Sequence, residues 1–475
     1  MEKKVLANLE PQNVLRFFEE LCAIPHGSGN TAAASDWAVD FAKARGLRHR
    51  RDEAGNVVIW KDASPGYEDH PAVMLQGHLD MVCVADAGVD HDFTREGLEL
   101  TVDGDWLKAR GTTLGGDDGI AVAMAMAVLD DDAIPHPPLE AVLTVDEEIG
   151  LLGATALDCS DLKSKYLLNI DSEAEGILTV GCAGGARCDL HLSLSAEDVS
   201  GDVFTLSVSG LPGGHSGAEI HKNIPNANRA LAQCLTGLSG VRLISLHGGE
   251  QDNAIPGQAE ARVLLPAGGA DGADMEDLFR KALAGCSEAP NGSCTLREIG
   301  GGSCKALSPE DSRRALELIL SAPNGVQAME PDLPGQVRTS LNLGILRLEE
   351  GALRLTWSVR SSAAAEKEAL VEKLKALSDG ASFTRRGDYP AWEYRKDSPL
   401  RDTMVAVFKE QYGREPKVET IHAGLECGIL TAKMPDLDAV SFGPDLVDIH
   451  TPRERASISS LQRTWAYLVA VLARL

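Results

Sequence analysis

Ala72-Val73-Met74-Leu75-Gln76 runs straight into Gly77-His78-Leu79-Asp80. An apolar run of strand length, ended by a histidine and a carboxylate, sets the reading of the fold. In open α/β sheets, ligands gather beyond the carboxyl ends of the strands. The pattern recurs. Ala141–Val145 precedes Asp146-Glu147-Glu148, and Tyr166–Ile170 precedes Asp171. Ala439–Phe442 precedes His450 by a short loop. Helix signals lie between, at Val14–Leu21, Ala32–Arg45 and Gly119–Leu129, the last opened by Asp117 and Asp118, whose charge suits a helix start. The alternation predicts an α/β domain with a mostly parallel sheet covered on both faces.

The character changes near Ala183. Phe204–Ser209 alternates as a half-exposed strand. Helix and strand signals then follow in similar order twice, with Gly268–Gly272 and Gly300–Gly302 read as loop or linker between them. From Tyr394 the α/β style returns and ends in a helical stretch over Ser457–Leu475. The expected division is a catalytic domain of residues 1–183 and 394–475. Residues 184–393 form an inserted α+β lid, with two similar lobes at about 184–290 and 291–393.

Composition narrows the function classes. The 71 Asp and Glu against 45 Lys and Arg give a net charge of −26, which repels phosphate backbones and argues against nucleic-acid binding. The longest apolar run, Ile120–Leu129, is too short to span a membrane. No apolar leader follows Met1, and the ten cysteines contain no Cys-x-x-Cys pair, so a cytoplasmic protein with reduced thiols is expected.

The strand-end residues supply two imidazoles and several carboxylates, an N/O set suited to Zn²⁺, Mn²⁺ or Co²⁺. Two cations need a bridging carboxylate and about two further ligands each. Asp117 as the bridge, His78 with Asp171, and Glu148 with His450 would satisfy that count. Asp80 can hold the other ring nitrogen of His78. Glu147 is left beside the cations, where a general base must sit.

Four motifs occur in order: Gln76-Gly77-His78-Leu79-Asp80-Met81-Val82, Gly111-Thr112-Thr113-Leu114-Gly115-Gly116-Asp117-Asp118-Gly119, Asp146-Glu147-Glu148-Ile149-Gly150 and Asn169-Ile170-Asp171-Ser172-Glu173. With Gly213-Gly214-His215-Ser216-Gly217 and His422-Ala423-Gly424-Leu425-Glu426-Cys427-Gly428, the chain resembles the aminoacyl-histidine dipeptidases. These are co-catalytic zinc peptidases related to glutamate carboxypeptidase and succinyl-diaminopimelate desuccinylase. The resemblance implies a zinc-exopeptidase catalytic domain with an inserted lid, and the same ligand set: His78, Asp117, Glu148, Asp171 and His450. It implies Glu147 as base, Asp80 as the orienting residue, and His215 as a group reaching the scissile carbonyl. Gly116 departs from the pattern, which has alanine there.

Further expectations concern the substrate. Asn253 is expected to donate to the same carbonyl oxygen, and Arg360 to pair with a substrate carboxylate. His422 and Glu426, read as one catalytic-domain loop, are expected at the peptide ends. The expected activity is hydrolysis of small unblocked dipeptides, Xaa-His among them, with two divalent metal ions, Zn²⁺ first, and a water between them activated by Glu147. An N-acyl amino acid deacylase on the same site and a silent peptide-binding protein are the alternatives. The resemblance also implies a homodimer, unless a doubled lid replaces the partner's contribution.

Overall fold

The computed structural model describes residues 5–266 and 274–475, so the expected linker at Gly268–Gly272 lies outside the described residues. The chain divides into two compact units. One comprises Met1–Gly181, Tyr394–Thr420 and Leu425–Leu475; the other comprises Cys182–Glu393 and Ile421–Gly424.

The first unit is built on an eight-stranded mixed sheet. In order across the sheet its strands are Arg48–Arg51, Val57–Lys61, Leu139–Thr144, Val73–His78, Tyr166–Asn169, Asp438–Ser441, Ile177–Cys182 and Lys417–Ile421. The four strands from Leu139–Thr144 to Asp438–Ser441 run parallel. Every residue of Val73–His78 and of Leu139–Thr144 is buried, as expected of central parallel strands covered on both faces. In register, Gln76 lies beside Asn169 and His78 beside Thr144, while Ser441 lies beside Asn169. Val73–His78 and Leu139–Thr144 thus end level, two residues beyond Tyr166–Asn169 and Asp438–Ser441, and the residues that follow all four emerge at the same edge of the sheet. Helix Gly116–Asp130 is apolar all round and almost wholly buried, packed on Val73–His78. A Cβ on Gly77 would sit 2.7 Å from Ala121 Cβ and from Asp118 Oδ2, so this close approach needs glycine.

A small four-stranded sheet completes the site-bearing end. Leu446–Val447 pairs with Arg455–Ser457, which pairs with Trp106–Ala109, which pairs with Leu100–Asp103. His450 lies on the loop joining the first two strands. The chain leaving Trp106–Ala109 leads to Asp117. Among the described residues, no helix is long and apolar enough to cross a membrane.

Among the described residues, the second unit holds a nine-stranded antiparallel sheet. Its order corrects the expected lobes. Gly184–Ser193, early in the chain, pairs with Ala352–Ser361 and Ser382–Tyr389. Ser293–Leu307, late in the chain, pairs with Ala196–Ser209. The halves of the sheet are thus interleaved in sequence. Among the described residues they join through three backbone pairs, Leu246 with Leu348, His247 with Arg347, and Gly248 with Leu346. Gly300–Gly302, expected as linker, lies inside strand Ser293–Leu307, where backbone pairing with Ala196–Ser209 overrides the glycine content.

A second correction concerns His422. Ala183 N–H donates to Ile421 C=O, and His422 Nε2 lies 2.7 Å from the Ser340 hydroxyl. Both partners belong to the second unit, so His422 leaves the catalytic domain, while Glu426, four residues on, stays in the first unit.

Candidate metal centre

His78 ends its strand 1 % exposed. Its Nδ1 faces Asp80 C=O at 2.9 Å, and one Asp80 carboxylate oxygen lies 3.4 Å away. Its Nε2 faces Asp117 Oδ1 at 3.1 Å and Asp171 Oδ1 at 3.8 Å. On the other side, His450 Nε2 lies 3.2 Å from Asp117 Oδ2 and 2.8 Å from Glu148 Oε1. One carboxylate thus stands between two imidazoles, each backed by a further carboxylate.

Asp80 does more than face His78. Its oxygens accept the Glu147 N–H at 3.0 Å, the Glu148 N–H at 3.3 Å and the Ser28 hydroxyl at 2.8 Å. One carboxylate so fixes the histidine and the acidic turn against each other. Asp146 opens that turn in the left-handed region, at φ 55°.

The electrostatics follow from the crowding. Burial works against charge on Asp117, but hydrogen bonds from His450 and His78 outweigh it and hold the carboxyl well below its usual range. Those to Asp117 and Glu148 push His450 up to about 10. Burial, together with Glu426, Glu148 and Asp117, pushes Glu147 up to about 8 despite His78. Burial and the neighbouring Asp118 raise Asp171. So much negative charge in one buried place needs cations.

The donor set fits them. Asp117, Glu148 and His450 each offer an atom within 4.8 Å of the others, as do His78, Asp118 and Asp171, and again His78, Glu147 and Glu148. Asp118, expected only as a helix-start carboxylate, joins this set. It is 2 % exposed, and its Oδ2 accepts the His78 N–H at 3.2 Å.

Glu426 sits beneath the ligands, fully buried. Its Oε2 accepts from Gln76 Nε2 at 2.5 Å and from the Thr144 hydroxyl at 2.6 Å, and Asn169 Nδ2 donates to Gln76 Oε1. Gln76, Thr144 and Asn169 stand on the three strands that deliver His78, Glu147 with Glu148, and Asp171. Glu426 therefore ties those strands together from within the first unit, rather than lying open to a peptide end.

The remaining expected residues gather in the second unit. His215 pairs with Ala254 across a two-stranded ladder, and Asn253 C=O accepts the Ser216 N–H at 2.8 Å. His215 Nδ1 accepts the Gly217 N–H at 3.3 Å and the Ala218 N–H at 3.0 Å. Its neutral form therefore carries the proton on Nε2. Arg360, opposite Ser340 in the sheet and 9 % exposed, donates to the Tyr389 hydroxyl at 3.2 Å. Among the described residues no carboxylate lies within ion-pair distance of it, and its Nε has no partner. Burial first, then Arg360, lowers His215 and pushes His422 down to about 3. All three meet at Gly217, where a Cβ would sit 2.5 Å from His422 O, 3.0 Å from His215 Cε1 and 3.3 Å from Arg360 Cζ.

Comparisons with known proteins give the chain's family. Residues 74–474 match the model of peptidase family M20/M25/M40. The chain is 36 % identical over 479 residues to the cytosol non-specific dipeptidase of Escherichia coli (strain K12), covering 98 % of each. It superposes with a TM-score of 0.93 on the crystal structure of aminoacylhistidine dipeptidase from Vibrio alginolyticus, at 35 % identity, covering 99 % of this chain and 98 % of that one. An M20 family metallo-carboxypeptidase from Sulfolobus solfataricus shares the fold at 16 % identity and a TM-score of 0.53, over 97 % of this chain and 98 % of that one. Matched by that family model over residues 74–474 and by a relative along nearly its whole length, the chain belongs to peptidase family M20/M25/M40.

Proposed function

We infer that the chain is a metallo-dipeptidase that hydrolyses small unblocked dipeptides, Xaa-His among them. One observation carries the reading: the Asp117 carboxylate stands between His78 and His450, with Glu147 on the adjoining turn. His78 and Asp171 would hold one divalent ion, Glu148 and His450 the other, and Asp117 both. Two such ions, Zn²⁺ in this proposal, supply Lewis acidity that polarises a carbonyl and eases deprotonation of water.

The chain's own groups do the rest. Glu147 accepts a proton from water as the water oxygen adds to the carbonyl carbon. It returns that proton to the amine nitrogen as the C–N bond breaks. Asp80 holds the backbone of Glu147 and Glu148 in place. His215, with its proton on Nε2, serves as the donor to the carbonyl oxygen, where negative charge grows in the transition state. Asn253 assists at the same oxygen. Arg360 takes the carboxylate of the dipeptide, supported by its burial without an acidic partner. His422, kept neutral, lends that carboxylate no competing charge.

The proposal places the enzyme in the cytoplasm, as the name of the Escherichia coli relative supports. It also carries a homodimer, which light scattering would report as about twice the 50.4 kDa chain mass. The deciding experiment is product release by mass spectrometry from Zn²⁺-reconstituted protein. The panel is beta-Ala-His, Ala-His, Ala-Leu, a tripeptide and N-acetyl-Ala. Cleavage of the free dipeptides alone is expected. Cleavage of only N-acetyl-Ala would replace the reading by deacylation, and silence with two ions bound would replace it by peptide binding.

A further inference from the structure

Glu454 lies four residues beyond His450 and is 3 % exposed. Its carboxylate accepts four successive backbone amides. Leu114 N–H reaches Oε2 at 2.9 Å and Gly115 N–H at 3.3 Å, while Gly116 N–H reaches Oε1 at 2.8 Å and Asp117 N–H at 3.4 Å. Successive amides converging in this way make an anion-binding concavity, here filled by the chain's own side chain. The Glu454 N–H donates to Thr451 C=O at 3.0 Å, which closes the turn just after His450. One buried carboxylate therefore joins the segment that carries Asp117 to the segment that carries His450. Gly116 leaves room for it: a Cβ there would lie 3.2 Å from Leu446 Cδ2 and 3.3 Å from Glu454 Oε1.

We propose that Glu454 is a positioning residue for the cation pair. It fixes the Asp117 carboxylate against the His450 imidazole, so that Asp117, Glu148 and His450 are set for one ion before that ion arrives. The proposal rests on the metal reading above. Partners behind the ligands typically change metal affinity by about 10- to 100-fold. A carboxylate that accepts several N–H groups also stabilises any fold, so the test needs a control of the same chemistry elsewhere.

Glu140 is that control. It is 3 % exposed and accepts from Lys163 N–H, Ser164 N–H, the Ser164 hydroxyl and Trp60 Nε1. It stands at the start of strand Leu139–Thr144, away from the strand end that leads to Glu147.

Full-length wild type, Glu454→Gln and Glu140→Gln are titrated with Zn²⁺ and with Mn²⁺ against a competing chelator, and their Tm is recorded in the metal-free state. For Glu454→Gln we expect the ion held by Glu148 and His450 to bind about 10- to 100-fold weaker, and the other, which shares only Asp117, to be weakened less. Its kcat should fall with KM within about twofold, and excess Mn²⁺ should restore activity. For Glu140→Gln we expect a lower Tm with both affinities unchanged. Glu454→Asp, which keeps the charge and shortens the reach, should fall between wild type and Gln and stands in if the Gln variant does not fold. Two ions bound at wild-type affinity in the Glu454 variants would overturn the proposal. So would a loss of both affinities no larger than the Tm drop explains, as judged on Glu140→Gln. A wild type that binds no pair of ions would overturn the metal reading itself, and the proposal with it.

Discussion

In the first unit His78 and His450 stand against carboxylates; in the second His215 and His422 stand against a guanidinium. His450, hydrogen-bonded to Asp117 and Glu148, is pushed up to about 10, and His422, buried beside Arg360, is pushed down to about 3. The same side chain is thus prepared for opposite partners. The first arrangement concentrates negative charge that a cation relieves. The second keeps its imidazoles neutral around a buried cation that lacks an anion. What each of these histidines does is decided by its burial and by the charge across from it.

The largest expected effect separates chemistry from assembly in the first unit. Glu147→Gln keeps the shape of the turn and the Asp80 contacts to its backbone but removes the base. We expect kcat to fall by about 10³-fold, within the range for a lost general base, with two ions still present by elemental analysis. Full activity in the variant would remove Glu147 from that role.

A smaller effect is expected from the second unit. Arg360→Met should raise KM for a free dipeptide about 10- to 100-fold, as when one member of a charged pair is lost. It should hardly change KM for the corresponding dipeptide amide, which lacks the carboxylate. Equal losses on both compounds would break the contrast, because Arg360 would then be holding the fold and not the anion.

The smallest effect is on stability. Unfolded, His422 titrates near 6.5; folded, it titrates near 3. Between those values the unfolded chain binds a proton that the folded one refuses. The contribution of His422 is therefore complete above about pH 6.5 and is lost as pH falls toward 3. The slope is at most about 1.4 kcal/mol per pH unit, one proton's worth. Urea unfolding at pH 6.5 and 5.0 should show a steeper pH dependence for wild type than for His422→Gln, with Arg360 and His215 unchanged. Identical slopes would mean that His422 already exchanges its proton freely in the folded unit.

How legible these regions were in the sequence differs for physical reasons. The strand ends around His78, Glu147 and Asp171 stood out because central parallel strands are continuously apolar and stop abruptly at chemistry-bearing residues. Asp118 did not, since a carboxylate at a helix start has an ordinary explanation; only the close packing at Gly77 reveals its burial. Glu454 carried no signal beyond its place near His450. In the second unit, Ser293–Leu307 is exposed over most of its length and contains Gly300–Gly302, so neither alternation nor propensity marks it as a strand. The interleaving of Gly184–Ser193 with later strands is a non-local pairing, which local pattern does not encode. His422 and Glu426 are four residues apart and belong to different units, a split that only tertiary packing decides.

The place of Asp438–Ser441 has a consequence for how the chain is made. It sits inside the mixed sheet, between Tyr166–Asn169 and Ile177–Cys182, yet more than two hundred residues separate it from either. The edges of those two strands that face Asp438–Ser441 cannot be filled until the whole intervening segment has been made. A chain truncated just before this strand loses the middle of its sheet and His450 in one stroke.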